Sequence, residues 1–350
     1  MRILFDFGHP ADVHYFKHLI RYLERKGHHC LIFARDKDVT AELLRALGMP
    51  FVNKGSGGTG IFDRAEYMAH SLALLQTAIN RERLDLCISH GSPYLAIAAK
   101  LNRLPHIMFN DTEKAAFFKQ VVQWCSPDTY VPDCFLDREM PQLHRLPSYM
   151  ELGYLHPDLF DPDTEQTKKL GEDYTLFRYV SHSAMHDFGS KTQDDDDKQA
   201  VIEELESFGP VWISSETALP ANLEKYRIPL KAGHIHHAIA GARLVMGESA
   251  TMCTEAAVLG VPSIHIHKNR WGYVKELEER YGLIQHFPDR DDGQKAAVEA
   301  AITILKDDRY MEENRVRRQR LLSEKKNMMD LMVKIVEKKM KDIASVTNFK

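Results

Sequence analysis

Short apolar runs alternate with longer amphipathic stretches over the first 110 residues. Residues 2–7 form an apolar run, and in residues 13–25 the apolar side chains recur at helical spacing until Gly27 ends the pattern. The same alternation continues through residues 29–34, 39–47, 50–52, 63–80, 84–89, 94–101 and 106–109. Because strands separated by helices pair in parallel through crossover connections, this pattern predicts a doubly wound α/β domain.

A second alternating block follows a proline-rich stretch. Six prolines from residue 127 to residue 162 argue against continuous helix, so this stretch is predicted to be a connecting region. Strand and helix patterns then alternate through residues 175–180, 198–208, 211–214, 235–240, 244–246, 253–259 and 263–266. The final pattern, about residues 312–345, is that of one long basic amphipathic helix.

These patterns predict two Rossmann-like α/β domains that face a cleft, with a C-terminal helix. We place an N-terminal domain at residues 1–155, a C-terminal domain at residues 156–320 and a helical tail at residues 321–350. The tail is expected to pack one face on the domains and to expose the other to solvent. Binding of its basic face to a membrane surface is the alternative.

Composition narrows the functional classes. The chain has 350 residues, with 46 Lys and Arg against 50 Asp and Glu, and this balance argues against a nucleic-acid-binding protein that depends on bulk positive charge. No run approaches the ~20 apolar residues that cross a bilayer, and the N-terminus lacks a signal-peptide pattern. The five cysteines show no CxxC spacing. We therefore expect a cytoplasmic protein with reduced thiols, with peripheral contact at the inner membrane face as an alternative.

The turn after residue 246 carries the strongest chemical signal. A strand ends at Met246, a loop of small and hydroxyl-bearing residues follows, and a helix is predicted to begin near Thr251 or Met252. The free amides and the positive dipole end of such a helix suit a phosphate. Glu255 lies about one turn into the helix, where a carboxylate can accept two ribose hydroxyls. An ordinary helix cap with a surface glutamate is the alternative. The predicted nucleotide-sugar contacts here are Ser249, Ala250, Thr251, Met252 and Glu255.

This turn resembles the donor-nucleotide motif of GT-B glycosyltransferases, in which such a loop precedes Glu-Ala and then Gly-x-Pro. The lipid-linked N-acetylglucosaminyltransferase of peptidoglycan synthesis and the non-hydrolysing UDP-N-acetylglucosamine 2-epimerases carry related motifs. Over about residues 1–310 the chain is more similar still to an uncharacterised family, domain of unknown function 354. Its hallmarks stand here as Asp6, His9-Pro10, His14, Phe16, Gly27-His28, Asn110-Asp111-Thr112-Glu113, Gly153-Tyr154-Leu155-His156-Pro157, His186-Asp187, His236-His237-Ala238, and residues 248–252 and 255–260. The resemblance implies a GT-B-like fold and sugar-nucleotide chemistry, with residues 1–155 as the acceptor domain and residues 156–320 as the nucleotide-sugar domain.

The first turn lies where GT-B proteins place a loop on the acceptor side. Related proteins often have a glycine-rich loop ending in histidine there, whereas this loop has only Gly8, which argues against a diphosphate cradle. His14 matches the histidine of the relatives best. It is predicted to lie in the first turn of its helix, where a neutral histidine has a lowered pKa and can accept a proton. His9 is a second acceptor-side candidate, with a loop hydrogen bond as its alternative role.

Two further turns follow the fourth and fifth predicted strands. His90 and Ser92 follow the fourth strand and are acceptor-side candidates. Asp111 and Glu113 follow the fifth and are predicted as a general base or as an epimerase acid. Capping of the next helix by Asp111 is the alternative. Where the epimerases have an aspartate after His-Gly, this chain has Ser92, and this difference weakens the epimerase interpretation.

Histidines recur at the turns of the second block. His182 and Ser183 follow its first strand, where many GT-B proteins bind the donor diphosphate, and His186-Asp187 is an orienting pair or a loop cap. His234 and His237 are predicted to lie near the diphosphate. Residues 265 and 267 alternate on a strand and share a face, but no Cys or Asp partner stands at a familiar zinc spacing, so we predict no metal site.

Two other motifs are expected to be unrelated to catalysis. Residues 55–60 satisfy GxGxxG, but they follow a weak third strand without the acidic residue that a dinucleotide site requires, so a mobile loop is expected. The acidic run at residues 194–197 precedes a predicted helix, and its charge complements the helix dipole.

Together these signals predict a cytoplasmic, metal-independent GT-B glycosyltransferase of the hexosyltransferase class. It would use a UDP-type sugar nucleotide as substrate, without a cofactor, and a glycan or lipid-linked acceptor. Its product would be a surface polysaccharide or glycoconjugate precursor, an inference from the resemblance. The alternatives are a non-hydrolysing sugar-nucleotide 2-epimerase and a non-catalytic nucleotide-sugar-binding protein.

Overall fold

The computed structural model describes residues 1–37, 39–57, 61–113, 116–125, 128–137, 143–179, 195–215 and 218–347. The chain forms two compact units. The first unit contains Met1–Tyr154 together with Lys326–Lys350, and the second contains Leu155–Lys325. Each unit is built on its own parallel sheet.

The first unit contains a seven-stranded sheet in the order β3-β2-β1-β4-β5-β6-β7, and every pairing is parallel. Its strands are β1 (Arg2–Phe7), β2 (His29–Ala34), β3 (Val52–Asn53), β4 (Leu86–His90), β5 (His106–Phe109), β6 (Asp128–Pro132) and β7 (Leu143–Leu146). The helices between them are α1 (Pro10–Arg25), α2 (Thr40–Ala46), α3 (Ile61–Glu82), α4 (Pro93–Leu101) and α5 (Ala116–Cys125).

The amphipathic pattern of α1 explains how this sheet is covered. The five apolar positions that defined the helix in the sequence are all fully buried or nearly so: Val13, Phe16, Leu19, Ile20 and Leu23. Their burial lays the helix along the sheet, and the ring of Phe16 stacks on Phe7 at 5.9 Å between centroids. The strand register then brings the carboxyl ends of β1 and β4 side by side, because Asp6 is opposite Ser89.

The proline-rich stretch is not only a connection, as the sequence had predicted. β6 and β7 lie within it and extend the first sheet on the side of β5. The prolines are compatible with this arrangement because Pro132 is the last residue of β6 and Pro147 comes after β7. β7 is an edge strand, and its polar middle residues, His144 and Arg145, are exposed. This explains why its sequence lacks an apolar run.

The second unit contains a five-stranded parallel sheet in the order β12-β11-β10-β8-β9. Its strands are β8 (Thr175–Tyr179), β9 (Val211–Ser215), β10 (Leu244–Gly247), β11 (Ser263–Ile266) and β12 (Ile284–Phe287). The helices from here to the chain end are α6 (Asp195–Glu206), α7 (Ile235–Gly241), α8 (Ala250–Leu259), α9 (Gly272–Glu279), α10 (Asp291–Lys306), α11 (Tyr310–Glu324) and α12 (Met328–Thr347). β10 is central, and all of its residues are buried.

The C-terminal pattern is divided into two helices, so the prediction of one long helix was wrong. The α11 helix ends at Glu324 because Lys325 adopts an extended conformation, and Lys326 then donates a backbone hydrogen bond to Pro147. The α12 helix packs on the first unit, with Met328, Met332 and Val336 fully buried. None of the helices in the described ranges combines the length and the apolarity that a membrane span requires.

Candidate active site

Three loops of the first unit bring their polar side chains together at the carboxyl ends of β1, β4 and β5. His90 is the last residue of β4, Asp111 follows β5, and Asp12 lies in the first turn of α1. The His90 ring lies between the two carboxylates: its Nδ1 is 3.3 Å from Asp12 Oδ1 and its Nε2 is 3.2 Å from Asp111 Oδ1. The sequence predicted His90 and Asp111 separately, and the structure brings them into direct contact, with Asp12 at the other ring nitrogen of His90.

The two carboxylates determine the charge of the histidine. Burial alone would lower the pKa of the His90 imidazole, but Asp111 and Asp12 outweigh this effect and raise that pKa to about 10. Burial alone would likewise raise the pKa of Asp111, and the His90 imidazolium outweighs it and lowers that pKa. At neutral pH the cluster of Asp12, His90 and Asp111 therefore holds two negative charges and one positive charge.

The Asp111 carboxylate contacts three side chains, those of His90, Thr112 and Tyr15, and it does not cap a helix. The Thr112 hydroxyl donates to it at 3.1 Å, and the Tyr15 hydroxyl lies 3.5 Å away. Thr112 and Glu113 are not helical, so the alternative in which Asp111 caps a helix with them in its first turn was wrong. Glu113 is also buried, and its Oε1 accepts the backbone N–H of Leu136 at 2.9 Å. This contact connects the β5 loop to the segment after β6.

The first turn forms a cap for α1. The His9 side chain accepts the Ala11 amide, and the Asp12 carboxylate accepts the amides of Gly8 and His9 at 2.7 and 3.0 Å. With Pro10 as first helical residue, the helix begins earlier than predicted, and His14 is its fifth residue instead of lying in the first turn. The His14 ring is buried and stacks on Tyr154 at 5.5 Å between centroids.

Ser92 belongs to a second buried network in this unit. Its hydroxyl donates to Asp6 at 2.5 Å and accepts the Leu95 amide at the start of α4. The other oxygen of Asp6 is paired with Lys54, whose ammonium is almost fully buried. This network ties β1 to β4 and to the segment after β3. Lys54 immediately precedes the glycine-rich loop, of which residues 58–60 lie outside the described ranges.

In the second unit, the turn after β10 depends on a glycine. Gly247 adopts φ +145°, and a Cβ placed there would lie 2.1 Å from the carbonyl oxygen of Arg178. Only glycine permits this approach of the loop to β8. Ser249 then caps α8, because its hydroxyl accepts the Met252 amide at 3.2 Å.

The α8 N-terminus leaves backbone donors available. The helix begins at Ala250, slightly before the predicted start, and the Cys253 amide makes the first bond along the helix to Ser249. The amides of Ala250 and Thr251 have no acceptor in the part of the chain that the structure describes. Two unpaired amides at the positive end of a helix dipole form an anion-binding arrangement.

Glu255 is a buried side chain, not a surface residue. It is 7% exposed, and its Oε1 lies 2.9 Å from His236 Nε2. His236 is itself buried on α7 and contacts the Phe160 ring edge-on at 6.2 Å. This pairing fixes the orientation of the carboxylate. His236 was absent from the predicted site, although it stands in the family hallmark at residues 236–238.

The neighbouring histidines have other contacts. His237 Nδ1 accepts the Asp163 amide at 3.0 Å, and its ring lies 5.0 Å from Phe160. His234 precedes α7, with its ring 6.3 Å from that of His237.

His182 and Ser183 lie outside the described residues, as does the pair at 186–187. Residue 194 also lies outside, and the other acidic residues of its run, 195–197, begin α6.

A stack of aromatic rings follows β11. His265 and His267 stack at 5.7 Å, and both rings pack against Trp271. His265 Nδ1 lies 3.0 Å from His286 Nδ1, a distance at which one nitrogen donates to the other. Burial lowers the pKa of His265 to about 3 and that of His286 to about 4, so both rings are neutral at physiological pH.

Sequence comparison supports the resemblance found in the motifs. Residues 1–132 match the family model described as Protein of unknown function (DUF354). No curated protein sequence matches this chain.

Solved structures share the fold at low identity. A UDP-GlcNAc 2-epimerase from Neisseria meningitidis bound to UDP-GlcNAc superposes with a TM-score of 0.69 at 12% identity, over 97% of this chain and 100% of that one. The UDP-GlcNAc 2-epimerase of Methanocaldococcus jannaschii gives 0.61 at 15%, over 91% and 99%. A spinosyn rhamnosyltransferase complexed with spinosyn aglycone gives 0.59 at 12%, over 96% and 100%. The expected GT-B-like fold class is confirmed, and at these identities the likeness concerns the fold alone.

Proposed function

We propose that this chain is a metal-independent glycosyltransferase-like enzyme that acts on a UDP-type sugar nucleotide. The observation that carries the proposal is the α8 turn, where two unpaired amides precede a buried, oriented glutamate by less than two helical turns. Amides at a helix N-terminus suit a diphosphate, and a carboxylate suits the two hydroxyls of a ribose. We assign nucleotide binding to this turn, with Ser249 through Met252 at the phosphates and Glu255 at the ribose.

The chemical step is assigned to the first unit. The cluster of Asp12, His90 and Asp111 carries one net negative charge, which disfavours a bound phosphate and favours a sugar that develops positive charge. Transfer through an oxocarbenium-like state needs this electrostatic stabilisation. Asp111 is assigned as the base that accepts the acceptor hydroxyl proton because it is ionised; its lowered pKa makes it a weak base, so the proton moves late, as the hydroxyl bonds to the sugar. His14 is retained as a second base, and His9, His90, Ser92 and Glu113 as groups around the acceptor.

The 2-epimerase remains the second candidate, because one observation favours it. Asp12, Asp111 and Glu113 are all buried; Asp12 follows β1, and the other two follow β5, with β4 between these strands in one sheet. Removing a proton from a sugar carbon and returning one to the opposite face needs two such acid–base groups. The solved 2-epimerases share the fold of this chain, although the likeness at these identities does not extend to their activity.

One incubation distinguishes these functions. The protein is incubated in heavy water with UDP-N-acetylglucosamine and UDP-glucose, with and without a mixture of lipid-linked and soluble glycan acceptors. Release of UDP only when an acceptor is present supports the transferase. Deuterium at C2 of the sugar without an acceptor supports the epimerase and contradicts the transferase. Binding without turnover in any mixture contradicts both and leaves a binding protein.

A further inference from the structure

A cavity of about 510 Å³ lies in the first unit, at the opposite end of the strands from the cluster of Asp12, His90 and Asp111. His106 and Asp128 line it, and they are the first residues of β5 and β6, whereas His90 and Asp111 stand at the carboxyl ends of β4 and β5. The cavity has the volume of an ordinary small-molecule site. The proposed sugar-nucleotide function uses none of its residues.

The charged residues around the cavity are mostly cationic. Lys100, Arg103 and Lys339 line it together with a single carboxylate, that of Asp128. Lys339 reaches from α12 and is paired with Asp128 at 2.6 Å. Lys100 and Arg103 are exposed and have no carboxylate partner among the residues that the structure describes. The cavity therefore holds an excess of two positive charges that an anion would neutralise.

A buried histidine also lines the cavity. His106 is 6% exposed, and its Nε2 lies 3.0 Å from the Ser89 hydroxyl. Burial lowers the pKa of His106 to about 3, so the ring is neutral at physiological pH. The histidine therefore adds no charge to the cavity, and the excess of two positive charges comes from the lysines and Arg103.

The backbone at Arg103 allows its cation to be removed without strain. Arg103 follows α4 with φ +55°, a left-handed conformation that glycine adopts without steric cost. Arg83, directly after α3, has a similar conformation, with φ +47°, and it does not line the cavity. Arg83→Gly is therefore a matched control for Arg103→Gly.

We propose that this cavity binds a phosphate-bearing ligand that also carries an apolar group. Arg103 and Lys100 neutralise the phosphate, and the apolar lining, which includes Ala99 and Leu104, contacts the remainder. Such a ligand is a soluble phosphate ester or the headgroup of a phospholipid. Leu101 and Trp124 are exposed large apolar side chains, each next in sequence to a lining residue.

The first arm of the test uses a soluble probe. Octyl phosphate is titrated into the wild type, Arg103→Gly and Arg83→Gly by calorimetry. Losing one charge-assisted contact should weaken binding to Arg103→Gly by roughly tenfold or more and leave Arg83→Gly unchanged. Neither glycine should lower the melting temperature, because both relieve a left-handed residue. Saturating UDP should not displace octyl phosphate, which separates this site from the proposed nucleotide site.

The second arm tests the lipid source. Vesicles of phosphatidylcholine with phosphatidic acid are sedimented with the same three proteins, and vesicles of phosphatidylcholine alone serve as the control. Binding that requires both phosphatidic acid and Arg103 supports a lipid headgroup. Binding of octyl phosphate alone supports a soluble ester. The proposal is overturned if the wild type binds neither probe, if Arg103→Gly binds as Arg83→Gly does, or if UDP displaces octyl phosphate.

Discussion

Two histidines, one in each unit, show how the surroundings of the same side chain determine its charge. His90 ends β4 between two carboxylates, and its pKa is raised to about 10. His265 lies on β11 among His286, His267 and Trp271, and its pKa is lowered to about 3. Burial acts on both in the same direction, so the carboxylates of the first unit account for the difference.

This contrast agrees with the division of roles that we propose. The first unit concentrates ionised side chains, which suits proton transfer and a positively charged transition state. The second unit offers backbone amides and an oriented carboxylate, which suits a diphosphate and a ribose.

Removing the charge of Asp111 should have the largest effect. Asp111→Asn should lower turnover of the sugar nucleotide by about 10²–10⁴-fold, the usual contribution of a general base. UDP binding should remain as in the wild type, because Asp111 lies in the other unit from the α8 turn. Asp63→Asn, on the exposed face of α3, is the control. Normal turnover in Asp111→Asn would remove this residue from the mechanism.

Replacing His90 should destabilise the first unit. His90→Leu leaves Asp12 and Asp111 buried without their shared cation, and breaking such a contact costs about 3–5 kcal/mol. Urea unfolding measures the loss, and His29→Leu, at an exposed position of β2, is the control. Adding Asp111→Asn to His90→Leu should restore part of the stability. Equal stability of His90→Leu and the wild type would show that the histidine is not charged.

The two histidines should respond to pH in opposite ways. Because the pKa of His90 is raised, its stabilisation is complete below pH 6.5 and is lost as pH rises towards 10. Because the pKa of His265 is lowered, its buried neutral form costs stability as pH falls from 6.5 towards 3, by up to about 1.4 kcal/mol per pH unit. Unfolding free energies measured against pH should therefore flatten on the alkaline side in His90→Leu and on the acid side in His265→Phe. The same profile in both variants would contradict the contrast.

The sequence predicted those elements whose pattern reflects burial. Parallel strands such as β1 and β10 are buried on both faces and stand out as apolar runs. β7 does not stand out as an apolar run, because it is an edge strand and its middle residues are polar. The break after Glu324 was equally hidden, since no proline or glycine marks it and the stop depends on the backbone bond between Lys326 and Pro147.

The site was only partly visible in the sequence for a related reason. His90 and Asp111 were found because they follow apolar strands, and Glu255 because it follows a loop of small residues. Asp12 was missed because an acid in the first turn of a helix is typical of capping, which it also performs. His236 was missed in favour of residues 234 and 237, since the sequence does not show which of three neighbouring histidines is buried towards Glu255.

Calorimetric titration of UDP into the wild type and Glu255→Ala tests most directly whether the α8 turn and Glu255 bind the nucleotide. Glu299→Ala, an exposed glutamate on α10, is the matched control. The account predicts that UDP binds the wild type and Glu299→Ala equally, and binds Glu255→Ala more weakly by about 1–3 kcal/mol, or roughly 5- to 150-fold in Kd. Equal affinity for all three proteins, or no binding of UDP to the wild type, would contradict it.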